Sequence, residues 1–255
     1  IYSMGKSRNS EKSDYHHHLP NSDVLILGLS FHPARELKMN FSNLYMPHLF
    51  NTSFIENQLL LFQNQKLKIY NDNQIFRQFS LVKNEGLNSQ FYYIEPHENS
   101  WVFGSRIRLE LNDIKFSLNY NAIRGNGRYL MPREWGRETF YATMPRERLE
   151  GTGKSDGIMF NIEKKFKKKS WKSKLGIGYY KIPDSKSSAF NKYQLNSFSQ
   201  LNTDVYYDFK GKLKGLEAHL LIATKKSTLG RDLSYEEKIN KVNMINYNLI
   251  LNYHF

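Results

Sequence analysis

Residues 241–255 read KVNMINYNLILNYHF. Ile245, Tyr247, Leu249, Leu251, Tyr253 and Phe255 share one parity, and Met244, Asn246, Asn248, Ile250, Asn252 and His254 share the other. Side chains of a strand alternate between its two faces, so this period of two reads as a strand with one apolar and one largely polar face. The same split recurs up the chain. In 101–111, Trp101, Phe103, Ile107, Leu109 and Leu111 oppose Gly104, Arg106, Arg108 and Glu110. In 114–122, Ile114, Phe116, Leu118 and Tyr120 oppose Lys115, Ser117, Asn119 and Asn121.

Eleven such segments fall near 23–31, 36–46, 53–62, 66–81, 100–111, 113–124, 157–166, 171–182, 199–210, 214–225 and 241–255. They run longer than the five or six residues usual in soluble sandwiches. They match the ~9–11 tilted residues that cross a bilayer. In hydrocarbon every backbone group must pair internally, which calls for a closed barrel. The connections alternate in the same sense. HPAR, QNQ, ND, KKKS and KGK are short, whereas 82–99, 125–156, 183–198 and 226–240 are long; PHLFN is brief. Short turns on the periplasmic side and longer loops outside are the layout of an outer-membrane barrel. The predicted fold class is therefore all-β, a transmembrane antiparallel β-barrel in the bacterial outer membrane. A soluble two-sheet sandwich would also alternate, but strand length and loop alternation argue against it.

Composition narrows the function classes. The net charge is +13 over 255 residues, which favours an acidic partner such as an anionic lipid or solute. Without cysteine there is no disulfide frame and no thiolate metal site. No run of about 18 apolar residues marks a transmembrane helix, and residues 1–20 lack the layout of a signal peptide.

The first and eleventh segments run in the same direction, so an antiparallel barrel with an even strand number needs at least one more strand. The expectation is a C-terminal part of a larger barrel. Residues 1–255 would all belong to one barrel domain. Ile1–Met4 would be the tail of an earlier strand, 1–22 an exposed extracellular loop, and 125–156 a long extracellular loop. A missing N-terminal segment or a protein partner would complete the wall.

The stretch NYNAIRGNGRYLMPREWGRETFYATMPRERLEG, residues 119–151, resembles the corresponding strand and loop of OprD-type (Occ) outer-membrane porins. The shared elements are a Tyr-containing strand end, a Gly-rich start, Pro-Arg-Glu-Trp-Gly, an aromatic pair and Arg-Glu-Arg-x-Glu-Gly. The resemblance implies an eighteen-stranded barrel, of which the last eleven strands would be here. It also implies uptake of small solutes, often carboxylates, past a ladder of basic side chains. In that register 125–156 would fold inward and narrow the pore.

The residues point the same way. Arg106, Arg108 and Lys115 lie on the polar face of neighbouring strands. Arg124, Arg128, Arg133, Arg137, Arg146 and Arg148 extend the positive charge into the loop. Guanidinium groups in a water-filled pore concentrate anions and hold carboxylates bidentately. Glu134, Glu138, Glu147 and Glu150 would pin the loop by pairing with some of these arginines, and Trp135 would stiffen it. The competing reading of these loop charges is a solvated outer surface or a binding site for lipopolysaccharide phosphates.

Other signals are weaker. The lysine-rich KKFKKKSWKSK, residues 164–174, imitates a nucleic-acid patch but fits a solvated turn, with Lys165, Lys172 and Lys174 on the lumen side; no nucleic-acid partner is expected. His16, His17 and His18 are consecutive in a loop, an arrangement that rarely makes a metal site. GTGKSDG, residues 151–157, lacks phosphate-loop spacing and precedes a strand. Ser117 and His219 face the lumen on separated strands without a joining motif, so no enzyme, cofactor or metal is expected. The leading expectation is a porin-like uptake channel for small anionic solutes, with membrane lipid and lipopolysaccharide around it. The alternative is a structural or assembly barrel that binds a protein partner.

Overall fold

The computed structural model describes residues 1–20, 23–83, 86–147, 149–166, 170–235, 237 and 242–254. Arg148 and Phe255, both singled out above, lie outside the described residues. Eleven strands form one sheet: β1 (Leu25–Ala34), β2 (Leu37–Met46), β3 (Phe50–Gln63), β4 (Leu67–Ser80), β5 (Asn99–Leu111), β6 (Ile114–Gly125), β7 (Ser155–Phe166), β8 (Trp171–Lys181), β9 (Phe198–Asp208), β10 (Leu216–Ser227) and β11 (Met244–Tyr253). Each pairs antiparallel with its sequence neighbours, in the order β1 to β11. The predicted segments and the observed strands differ at their ends by three residues or fewer.

Register carries the alternation across the sheet. Leu29 pairs with Phe41, Phe41 with Ile55, Ile55 with Ile75, and Ile75 with Phe103. Farther on, Tyr120 pairs with Ile158 and Ile158 with Tyr179. All of these side chains are exposed. They form an apolar face many strands wide, which in water would cost a large hydration free energy and which fits hydrocarbon instead. Asn57, Asn73 and Ser105 interrupt it in one row of register. Beside them, Asn73 Nδ2 donates to Asn71 Oδ1 at 2.7 Å, so part of the amide polarity is satisfied locally.

Aromatic residues gather toward both ends of this face. Trp171 packs on Tyr207 at 4.6 Å and Tyr207 on Phe209 at 4.8 Å near the short turns. Trp101 stacks on Phe103 at 6.1 Å near the long loops. Such girdles sit where hydrocarbon meets water, because their rings are apolar and their edges tolerate polar groups.

The opposite, inner face is polar toward the turns and carries the core toward the loops. Val102, Ile123, Phe76, Met159, Tyr180 and Phe198 point inward from their strands and pack against Tyr129, Phe140, Ala142, Met144 and Leu149 of the segment between β6 and β7. A second cluster joins Met46, Leu49 and Phe50 to Tyr15, Tyr93, Ile94 and Leu130. The hydrophobic core thus lies between the inner face and the loops.

Residues 1–20 are part of this loop layer rather than a free, exposed loop. Lys6 N donates to the Lys192 carbonyl at 2.8 Å, and Arg8 pairs with Glu98 at 2.9 Å. Tyr15 and Lys192 are both buried and in contact, Nζ to phenol oxygen 3.3 Å. His16 stacks on Tyr2, and His18 packs on Phe91. Aromatic contacts explain the order that the polar composition of the segment conceals.

Candidate functional site

The segment between β6 and β7 crosses the inner face of the sheet. Its contacts trace the path. Gln78 of β4 clasps Leu130 through both backbone groups, at 2.7 and 2.8 Å. The Tyr141 hydroxyl donates to Glu56 of β3 at 2.7 Å. Ala142 N donates to Asn121 of β6 at 2.8 Å, and Tyr180 of β8 donates to the Ala142 carbonyl at 2.6 Å. Gln200 and Asn202 of β9 donate to the Pro145 carbonyl, and Lys225 of β10 donates to the Arg146 carbonyl at 2.7 Å. Arg146 then reaches Asn248 of β11 at 2.6 Å.

A loop in this position needs room as well as partners. The Met144 side chain lies over Gly176 and Gly178 of β8. A Cβ at these glycines would approach its Cε to 3.0 Å and its Sδ to 2.8 Å respectively. The sequence places both glycines on the polar parity, where a larger residue would lift the loop.

Beneath the loop, Arg106 and Arg108 of β5 converge on Asp72 of β4. Arg106 Nε is 2.7 Å from Asp72 Oδ2. Arg108 reaches the same oxygen through Nε at 2.6 Å and the other oxygen through Nη2 at 3.0 Å. Asp72 is completely buried, whereas the two arginines keep about a quarter of their side chains exposed, 23 % and 25 %. Arg106 lies 4.1 Å from the Tyr141 ring and Arg108 lies 4.3 Å from that of Tyr70. Two guanidinium groups share this carboxylate, and Arg108 also lies 3.8 Å from Glu110 through Nη1, so the excess positive charge of the group is partly offset. Lys115 pairs with Glu110 at 3.1 Å on the same face. A cavity of ≈ 520 Å³ opens here, bordered by Arg106, Arg108, Lys115 and Lys174 together with Glu56, Glu110 and Glu163.

A second cavity, ≈ 720 Å³, lies between the loop and β10–β11, with Arg133, Arg137, Arg146, Glu138, Glu147 and Glu150 in its wall. Glu147 is buried and its Oε2 lies 3.9 Å from Arg137. Oε1 of Glu147 and Oε1 of Glu138 are sealed from solvent without a hydrogen-bond partner among the described residues. Burial, reinforced by the charge of Glu150, pushes the Glu138 carboxyl up to about 7. Burial and then the charge of Glu138 push Glu147 well above the usual carboxylate range, against the pull of Arg137.

Several sequence expectations change. Arg124 is not on the inner face. It shares the parity of Leu118 and Tyr120, so its guanidinium sits on the outer face, paired with Asp156 at 2.6 Å. Arg128 is buried rather than facing a solvent path, and donates to the Lys6 and Ser188 carbonyls. Glu134 accepts the Tyr2 amide at 2.7 Å, and among the described residues it forms no ion pair with an arginine. Glu150 accepts from the Tyr193 hydroxyl at 3.2 Å. Trp135 packs toward Phe50, in the second core cluster. Arg133 stands over Tyr193. His219 bonds Asp204 at 2.8 Å and stacks on Tyr206.

Asp72, Gln78, Asn121, Gln200 and Asn202 organise the site and do not stand out in the sequence. The one available signal was parity. Asp72 lies two residues before Gln74 on the inward phase of β4, in register with Arg106.

An outward apolar belt with aromatic rims, a polar inner face and a loop laid across it define an outer-membrane β-barrel fold. No family model and no curated protein matches the sequence. Solved structures do. Acinetobacter baumannii OccAB4 superimposes with a TM-score of 0.70 at 12 % identity, over 98 % of this chain and 56 % of that one. Pseudomonas aeruginosa OpdO gives 0.66 at 17 % identity, over 99 % and 60 %. A variant of OccD1 (OprD) gives 0.69 at 11 % identity, over 96 % and 61 %. The fold is therefore that of the OprD/Occ porins of the Gram-negative outer membrane, and this chain spans a little over half the length of the structures it matches.

Proposed function

We propose that this chain is part of an outer-membrane channel for passive uptake of small solutes, with a preference for anionic, carboxylate-bearing ones. The long loops would face outward and the short turns the periplasm. The sheet edges at β1 and β11 run in the same direction, so an odd number of further antiparallel strands would close the wall. Solutes would pass beside the 125–156 loop and along the polar, turn-side part of the inner face.

The observation that carries the reading is the Arg106–Asp72–Arg108 group. Its carboxylate fixes two guanidinium groups in place, and their remaining N–H donors stay accessible beside the ≈ 520 Å³ cavity. Fixed cations in a narrow aqueous path raise the local anion concentration and lose little entropy on contact. The acidic neighbours Glu56, Glu110 and Glu163 make the wall mixed in sign, which supports a preference rather than strict selection. The loop arginines Arg133, Arg137 and Arg146, beside the larger cavity, would guide anions toward this group.

Reversal potentials of the full-length protein in planar bilayers under a salt gradient test the reading. Anion preference is expected. Replacing Arg106 and Arg108 together with Ala should reduce the permeability ratio severalfold, because Asp72 is then left uncompensated. An unchanged ratio would remove the basic-group reading, and absence of conductance would remove the channel.

A further inference from the structure

The outer face carries a row of charged side chains at its loop end. Arg77 of β4 pairs with Trp101 of β5, and Trp101 pairs with Arg124 of β6. Asp156 of β7 pairs with Lys181 of β8. All five side chains share the outward parity, at the loop end of the apolar belt. Arg77, Arg124 and Lys181 are exposed. Among the described residues Arg77 pairs with no carboxylate, and Lys181 meets only the charge of Asp156, which Arg124 already shares, so this rim carries three cations against the single Asp156.

Two of the cations are held in place. Arg124 donates through Nη1 to the Ile123 and Ser155 carbonyls at 2.9 and 3.0 Å, and through Nη2 to Asp156 at 2.6 Å. The Tyr120 hydroxyl donates to the same Asp156 oxygen, also at 2.6 Å. Arg77 lies 5.1 Å from the Trp101 ring centroid and 5.5 Å from that of Phe79. From Leu111 to Trp101, β5 rises roughly 33 Å along its own axis, or about 25 Å along the membrane normal at a typical tilt. The cation row therefore falls where hydrocarbon ends. A cation there costs roughly 0–1 kcal/mol, against about 2–4 at midplane. At that depth lie headgroup phosphates, each monoester carrying about −1.5 to −2 charges.

We propose that Arg77, Arg124 and Lys181 form a binding site for the phosphate groups of an outer-leaflet glycolipid, with Trp101 and Tyr120 against the proximal part of its acyl chains. The net +2 of the rim matches one phosphate monoester. Arg124, fixed by Asp156 and two carbonyls, offers its remaining Nε and Nη2 N–H donors to phosphate oxygens, while Arg77 and Lys181 approach from either side. This site rests on the proposed orientation, in which the long loops face outward.

The test uses the full-length protein in lipid-free detergent, with diphosphoryl lipid A as probe and native mass spectrometry as readout. Wild type should bind diphosphoryl lipid A. The R77Q/R124Q/K181Q variant should bind it about tenfold or more weakly, and R77K/R124K/K181R, which keeps the charge but not the guanidinium geometry at 77 and 124, should bind between the two. Lys164→Gln, on the outer face near the turns, should change nothing. Equal binding by wild type and the Gln variant overturns the site. So does equal binding of dephosphorylated lipid A, and so does free phosphate bound as tightly as lipid A. If the triple variant does not fold, Arg77→Gln and Lys181→Gln singly should each cost severalfold, because neither side chain is hydrogen-bonded within the sheet. Orientation is read separately, since the chain has no cysteine. Lys186→Cys in the loop after β8 should react with an impermeant maleimide on intact cells. Failure there, with lipid A binding intact, overturns the orientation and with it the outer-leaflet source.

Discussion

Arg108 and Arg124 stand on paired neighbouring strands, β5 and β6, and are both arginines in sequence contexts rich in Arg, Asn and aromatic residues. One faces inward, shares a buried carboxylate with a second arginine and borders an aqueous cavity. The other faces outward, shares a half-exposed carboxylate with a tyrosine and borders the aromatic rim. The difference is one step of strand parity. Charge alone does not assign a residue to a pore; the face it occupies and the acid that holds it do.

The largest expected effect probes the faces themselves. Leu118→Arg puts a cation in the middle of the outer belt and should cost about 2–4 kcal/mol in lipid. Ser117→Arg, one residue away on the inner face and beside the ≈ 520 Å³ cavity, should cost much less in the same unfolding titration. Equal costs would break the assignment of the outer face to hydrocarbon.

Next is Asp72→Ala. Removing an acid that two arginines share costs about 3–5 kcal/mol where the pair is sealed. With the arginines a quarter exposed, a loss of roughly 2–3 kcal/mol in denaturant unfolding is expected. The anion permeability ratio should rise in this variant, opposite in sign to the Arg106 and Arg108 double replacement. The same sign for both would mean that the arginines act on the pore through structure rather than charge.

Asn121→Ala removes the acceptor for Ala142 N on the inner face. A buried donor left unpaired costs about 1–3 kcal/mol, here taken from loop docking. Single-channel recordings should show more frequent current fluctuations, with the strands unaffected by infrared spectroscopy.

The smallest effect is on pH. Glu138 and Glu147 are raised, Glu138 from 4.5 to about 7, so the docked loop holds protons that a loosened loop releases. Docking is therefore favoured on the acid side, and that advantage is lost as pH rises from about 4.5 through about 7. Current noise should be greater near pH 8 than near pH 5, and E138Q/E147Q should flatten the difference. Noise that decreases with rising pH would show that the two carboxyls are ionised in the docked loop.

How much of this was legible depends on the range of the interaction. The strands were legible because alternation is a local property: in 101–111 and 241–255 each residue's neighbours two away already declare the face. The core was half legible. Val102, Ile123, Met159 and Tyr180 lie on the polar parity and read as exceptions, until the loop residues Phe140, Ala142 and Met144 arrive to cover them. Arg124 followed the outward parity of Leu118 and Tyr120, and continuity of charge with the loop was the weaker guide.

From the sequence alone come the all-β class, the strand limits to within a few residues, the alternation of short and long connections and the two-faced wall, because each follows from backbone period and turn chemistry over a few positions. Only the tertiary structure decides that Asp72 neutralises one of two arginines 34 and 36 residues away. The same holds for Tyr141 reaching Glu56, for glycines at 176 and 178 making room for Met144, and for Arg124 joining Asp156. Those pairings depend on inter-strand register and on where a long loop lands, and neither is encoded within the reach of a local pattern.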